Sequence, residues 1–291
     1  MHKFFENLLK NAPVILDGAW GTQLQLKGLQ PGDVPDGWNL THPEKVFEVA
    51  ESYVKAGSKV ILTNTFGANR VRLAEAPELV ENVREINKRG VQISKSAAGN
   101  SVYVFASIGP SGKLLMSGDV SEEDLFNAFL EQAQALAEAG ADALVIETMS
   151  DIEEAVIAVK AAKLTNLPIV ACMVFDSGKD RDRTMMGNTP EEVAQKLIAA
   201  GVDIIGSNCG QGIETFLKIC ERLYKASSRP VWIKPNAGLP VISDGGVCYK
   251  TTPEEFASCV PALLNAGAGF IGGCCGTTPD FIIQIVKTVY K

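Results

Sequence analysis

Apolar positions in this chain come in short unbroken runs, not in strict alternation with polar ones. Eight such runs recur: PVILDG (13–18), KVILTNT (59–65), VYVFASIG (102–109), ALVIETM (143–149), PIVACMVF (168–175), IIGSNCG (204–210), PVWIKPNAG (230–238) and GFIGGCCG (269–276). Each is nearly all apolar in its first half, as in strands buried on both faces of a parallel sheet. Between the runs the period turns helical. Over 122–140, Leu125, Phe129 and Leu136 share one side with neighbouring alanines. Helix starts are legible where a hydroxyl stands three residues before a carboxylate: Ser150 with Glu153, Thr189 with Glu192, Thr252 with Glu255. In the last two, proline also takes the first helical position. Four helices run into the same Ala-Gly pair, at Gly57, Gly140, Gly201 and Gly267, where glycine can adopt the left-handed cap.

Eight strands alternating with helices, without a low-complexity linker, predict an α/β fold: a single (β/α)8 barrel of the TIM type, one domain over residues 1–291. A doubly wound open sheet fits less well. No G-x-G-x-x-G follows the first strand and no G-x-x-x-x-G-K-[ST] occurs.

Composition narrows the partners. The chain is 46% hydrophobic and 21% charged, with 27 Lys plus Arg against 34 Asp plus Glu and a net charge of −7. No basic patch stands out, which argues against nucleic acid and against an anionic membrane. The start, MHKFFENLLKNAPVIL, lacks a long apolar segment with a small-residue cleavage site, and no apolar run reaches membrane-spanning length. The expectation is a soluble, cytoplasmic protein. Seven cysteines, an odd number, suggest free or metal-bound thiols and not a disulfide framework.

In such barrels the chemistry sits at the C-terminal ends of the strands. Those ends carry Asp17, Asn64, Thr65, Glu147, Cys209, Asn236, and the adjacent pair Cys274 and Cys275. Cys172 falls inside the fifth strand, Cys220 and Cys259 in helices, and Cys248 in a loop; these read as packing or surface residues. Strands two apart in a parallel sheet are separated by roughly 10 Å at the backbone, a gap that inward-leaning side chains can close. Gly272, Gly273 and Gly276 relax the chain so that neighbouring thiols need not point to opposite faces. Three thiolates with one open position is the ligand pattern of a zinc site that performs chemistry. Core packing and a redox pair compete with that reading, although C-C lacks the two-residue spacer of the thioredoxin type. His42, before Pro43, reads as a helix cap. Asp17 precedes Gly18, Ala19 and Gly21, whose backbone N–H groups could cradle an anion. Glu147 is left free by Ser150 as the cap of the next helix. Acidic groups for an ammonium beside donors for a carboxylate describe an amino-acid site.

The stretches LDGAWGTQL, NLTHPE, ILTNTFGANR, VIETMSD, GSNCG, KPNAGLP and GGCCGTTP together resemble the homocysteine S-methyltransferase family, most nearly the homocysteine-binding module of cobalamin-dependent methionine synthase. The match runs in order from about residue 13 to the end. The resemblance implies a zinc-dependent barrel that methylates the thiol of homocysteine. It maps zinc ligands onto Cys209, Cys274 and Cys275, and homocysteine-holding acids onto Asp17 and Glu147. Substrate contacts are also expected from Gly18, Ala19, Asn64, Thr65 and Asn236. Asn236 lies between the two cysteine-bearing strands, so its carboxamide oxygen, or a water it holds, is expected to fill the fourth metal position until homocysteine arrives; a plain turn residue before Ala237-Gly238 is the alternative.

Resemblance to the corrinoid-linked module favours methylcobalamin as donor. Because the chain ends after its eighth helix, that donor is expected on a separate corrinoid protein. S-methylmethionine or S-adenosylmethionine, and betaine, are the other donors in view, the last disfavoured by the missing C-terminal dimerisation segment. A homocysteine-binding subunit inactive without its partner is the contrasting class. The charged loop 176–190 is long enough to touch a partner or cover the site, against the default of a solvated loop.

Overall fold

A computed structural model describes residues 1–243 and 246–290. The eight expected strands all form: Val14–Ile15, Val60–Ile61, Tyr103–Ile108, Ala143–Met149, Ile169–Met173, Ile204–Cys209, Val231–Pro235 and Ala268–Ile271. They make one eight-stranded parallel sheet in which the second to eighth strands pair in sequence order and the first pairs with the last, Val14 opposite Phe270, which leaves the first and second strands as the two ends of the ladder. This is the TIM barrel, with helices between successive strands.

The join between the first and second strands is made differently from the others. Lys59 N–H donates to Ile15 O at 2.7 Å and Ser58 Oγ to Leu16 O at 3.1 Å. One residue further up, Leu62 N–H donates at 2.7 Å to Asp17 Oδ2, a side chain standing where a strand carbonyl would be.

Strand alternation sorts the core into two regions. Val14, Leu16, Val60, Leu62, Phe105, Val145, Val170, Ile204, Trp232 and Phe270 fill the barrel interior. Their neighbours in sequence pack outward against the helices. The N-terminal helix Lys3–Leu8 closes the bottom: Phe5, fully buried, meets Phe105 and Phe270 edge-on with ring centroids 5.9 Å apart. That end is apolar and filled, which leaves the C-terminal mouth as the place for chemistry.

The capping arithmetic holds in detail with one shift. Thr189 and Thr252 each form a complete capping box, and Ser121 does the same with Asp124. Gly57, Gly140, Gly201 and Gly267 all have φ between 90° and 109°. The helix after the fourth strand, however, is capped by Asp151 and not by Ser150. His42 occupies a helix N-cap position, but its side chain makes no capping bond and Nδ1 lies 2.9 Å from Thr41 Oγ1.

One element was not foreseen. Val241–Ser243 and Gly246–Cys248 pair as an antiparallel hairpin above the seventh strand, so Cys248 lies on a strand and not in a loop. Among the described residues, no helix is long and apolar enough to cross a membrane.

Candidate metal centre and substrate site

The sulfurs of Cys209, Cys274 and Cys275 all lie within 4.8 Å of one another at the barrel mouth. Local backbone makes this possible. The eighth strand ends at Ile271, and the chain then turns, with Thr277 N–H and Oγ1 both donating to Cys274 O at 3.1 and 2.7 Å. Gly276 sits at φ +80°, and a Cβ there would come within 2.2 Å of the Tyr249 ring. Released from the ladder, neighbours 274 and 275 direct their sulfurs to a common point. Cys209 itself has φ +66°, a left-handed conformation costing roughly 1–2 kcal/mol for a non-glycine residue. Such strain is found at functional positions that the surroundings hold in place.

The thiols share their protons unequally. Cys274 and then Cys275 donate toward Cys209, which holds the Cys209 thiol down at about 3, while bonding to Cys209 pushes the other two up. Soft, half-buried sulfur donors at this separation suit Zn²⁺, which takes thiolates in tetrahedral geometry.

Beneath the sulfurs lies a layer of polar side chains that continues the inward-facing register of the barrel interior. Phe105 is followed inward by Ser107, Val145 by Glu147, Gly206 by Asn208, and Trp232 by Lys234. Asn208 and Lys234 are direct cross-strand partners. All four are buried. Ser107 Oγ donates to Glu147 Oε1 at 2.5 Å, and Asn208 Nδ2 lies 3.4 Å from Oε2. Asn208 also grips Thr148 and reaches to 4.0 Å from Cys274 Sγ, so it ties the carboxylate layer to the cysteine cluster. Burial pushes the Glu147 carboxyl up to about 7, opposed by the Lys234 charge.

Asp17 is fully buried and fully engaged. Oδ1 accepts from Lys234 Nζ; Oδ2 accepts from Leu62 N–H and Trp20 Nε1, each at 2.7 Å. Burial disfavours the Lys234 ammonium, but Asp17 and Glu147 beside it more than offset this and raise its pKa.

The other expected substrate contacts lie as follows. Gly18, Ala19 and Asn64 line the cavity at the mouth, about 750 Å³ in volume, together with Glu147 and all three cysteines. Gly18 is packed so closely that a Cβ would fall 2.8 Å from the Tyr53 hydroxyl. The Ala19 N–H is engaged, at 3.1 Å from Thr277 Oγ1. Asn64 spends its amide on Pro35 O and Asn39 Oδ1, and Thr65 turns its hydroxyl to Ser107 O, away from the cavity. Asn236 donates Nδ2 to Gly210 O at 2.7 Å, while its Oδ1 is buried with no hydrogen-bond partner among the described residues.

Sequence reading passed over Ser107, Asn208, Lys234 and Tyr249. The first three carried a signal: a polar residue two places beyond an interior-facing one at a strand end. For Tyr249 the signal was indirect, the Asp244-Gly245 pair that marks a hairpin just before it. Burial first, then the Cys275 charge, pushes its hydroxyl up to about 12.

A family model described as homocysteine S-methyltransferase matches residues 14–289. Two methionine synthases are similar in sequence. That of Mycobacterium leprae (strain TN) is 29% identical over 311 aligned positions, covering all of this chain and 26% of that protein. That of Mycobacterium tuberculosis (strain ATCC 25618 / H37Rv) is 28% identical over 302, covering 97% and 25%. The chain thus spans about a quarter of the length of these curated relatives. Among solved structures, the Escherichia coli homocysteine methyltransferase MmuM superposes with a TM-score of 0.81 in its metallated form, at 24% identity and 99% coverage of both chains. Its oxidized form gives 0.81 at 25% identity, with 97% and 98% covered.

Proposed function

The chain belongs to the homocysteine S-methyltransferase family, and from that premise we propose that it methylates the thiol of homocysteine to give methionine. The metal is Zn²⁺ held by Cys209, Cys274 and Cys275, and the methyl donor is a methyl-corrinoid carried on another domain or protein. The observation that carries this reading is the meeting of three sulfurs within 4.8 Å at the mouth of a family barrel, directly above a buried carboxylate. Similarity to methionine synthases supports the corrinoid donor.

When bound, the zinc ion supplies Lewis acidity that keeps a substrate thiol as thiolate at neutral pH, where a free alkyl thiol, titrating near ~8.5, is mostly protonated. The protein's own residues do the rest. Glu147, fixed at Oε1 by Ser107, offers Oε2 to the substrate ammonium. Asn208 holds the strand ends that carry Glu147 and Cys209 in register. Asn236 Oδ1, buried and unpartnered, is the protein atom suited to the fourth metal position before substrate arrives. With the metal holding the substrate sulfur as thiolate, the chain would not need to supply a general base. The three cysteines are ligands, not nucleophiles.

The test is an assay of zinc-loaded protein with homocysteine and, in parallel, methylcobalamin, S-methylmethionine, S-adenosylmethionine or betaine. Methionine formed from methylcobalamin, and lost on chelation or in Cys209→Ser, supports the proposal. Turnover with another donor moves the donor assignment, and a stripped protein as active as the loaded one overturns the zinc assignment.

A further inference from the structure

We propose that Lys234 is the anchor for the α-carboxylate of the amino-acid substrate and so sets the enzyme's preference for an amino acid over a simple aminothiol. The inference rests on the homocysteine reading and adds a residue to it.

The argument is one of charge and unused donors. The inner cavity is rich in acidic groups: Glu147 and the three cysteine sulfurs line it, and Asp17 lies buried behind Trp20 and Lys234 of its wall. A carboxylate entering there meets repulsion unless a cation receives it. Among the described residues lining the cavity, the cations are Arg72 and Lys234. Arg72 stands at the outer rim, half-exposed and 3.5 Å from Glu75. Lys234 is the inner one, with only 3% of its side chain exposed.

Three donors converge on Asp17, so that carboxylate has no ready face for a ligand ammonium. Lys234 is the reverse case. An ammonium has three N–H donors. One goes to Asp17 Oδ1, and among the described residues no second acceptor lies within hydrogen-bonding distance. A buried donor left without a partner is costly, so a ligand that supplies an acceptor is favoured there. The backbone N–H of Ala19, the other anion donor at this wall, is already taken by Thr277. Glu147 and Lys234 thus offer opposite charges to the two ends of a zwitterion, with Asp17 acting as a positioning residue that aims the lysine.

Titration calorimetry on the zinc-loaded full chain tests this with two thiols, homocysteine and 3-mercaptopropylamine, which lacks only the carboxylate. Lys234→Met should weaken homocysteine by about 10- to 100-fold, the range for one charge-assisted hydrogen bond, while 3-mercaptopropylamine changes less than about threefold. Because Lys234→Met leaves Asp17 charged and buried, Asp17→Asn combined with Lys234→Met is measured beside it and should show the same selective loss. Equal loss of both thiols in both variants, or homocysteine binding retained in either, overturns the inference. If the wild-type protein binds neither thiol, the homocysteine reading itself falls and takes this inference with it.

Discussion

Asn208 holds Thr148 from two sides. Its Oδ1 accepts the Thr148 N–H at 2.8 Å and its Nδ2 donates to Thr148 Oγ1 at 2.7 Å. Thr148 needs holding, since its φ of +60° is left-handed. This one amide links the ends of the fourth and sixth strands, next to Glu147 on one and Cys209 on the other. Asn208→Ala removes both bonds and leaves Thr148 N–H without its acceptor. It should cost on the order of 2–3 kcal/mol in chemical denaturation, and homocysteine binding should weaken further than the stability loss alone accounts for.

Ser107→Ala is expected to act through Glu147. The Ser107 hydroxyl favours the charged carboxylate, whose pKa burial has already lifted to about 7. Without that donor the pKa rises further. Homocysteine affinity at pH 7 should fall about tenfold, consistent with one hydrogen bond to a charged group, and its pH profile should move to more alkaline values. An unmoved profile contradicts this role.

Asp36, in the wall of the same cavity, gives a pH dependence of its own. Burial raises its carboxyl from 3.8 to about 6, against the hydrogen bond from Gly67 N–H. The native protein therefore binds this proton more tightly than the unfolded chain does between those values. Its contribution is most favourable below pH 3.8 and is lost as pH rises to 6. Asp36→Asn keeps an acceptor for Gly67 and removes the buried charge. It should be more stable than wild type at pH 8 by on the order of 3 kcal/mol, a gap that closes on titration toward pH 4.

Two glycine substitutions separate crowding from backbone strain. A Cβ at Gly206 would lie 2.2 Å from Trp232 O and 2.9 Å from Cys172 Sγ, inside the filled barrel. At Gly140 it meets nothing within 4 Å, though φ is +90°. Gly206→Ala should cost more than about 3 kcal/mol or abolish soluble expression, whereas Gly140→Ala should cost about 1 kcal/mol. Thermal melts of the two proteins make the comparison.

Much of the architecture was legible because each strand is a buried run and each helix carries its own punctuation. The cysteine cluster was legible for a narrower reason: the sixth and eighth strands flank the seventh, so side chains leaning inward from their ends can meet. The polar layer was less visible. Ser107, Asn208 and Lys234 each look like an ordinary polar residue at a strand end until the inward register is fixed by Phe105, Gly206 and Trp232. The engagement of Asp17 was not readable at all, since its partners Leu62 and Lys234 lie 45 and 217 positions away in sequence. The move of the cap from Ser150 to Asp151 is a contest between two adjacent side chains that only geometry decides. The hairpin that brings Tyr249 over Gly276 did carry a cue, the Asp244-Gly245 pair between two short runs, but it lies outside the strand–helix repeat that organises the rest of the chain.

The amide of Leu62 closes the circle of staves on a carboxylate that also faces Lys234. The hoop of this barrel is therefore fastened with part of its own working machinery. A slip at that seam would disarm the mouth in the same moment, and solvent exchange at this single backbone proton would register both events together.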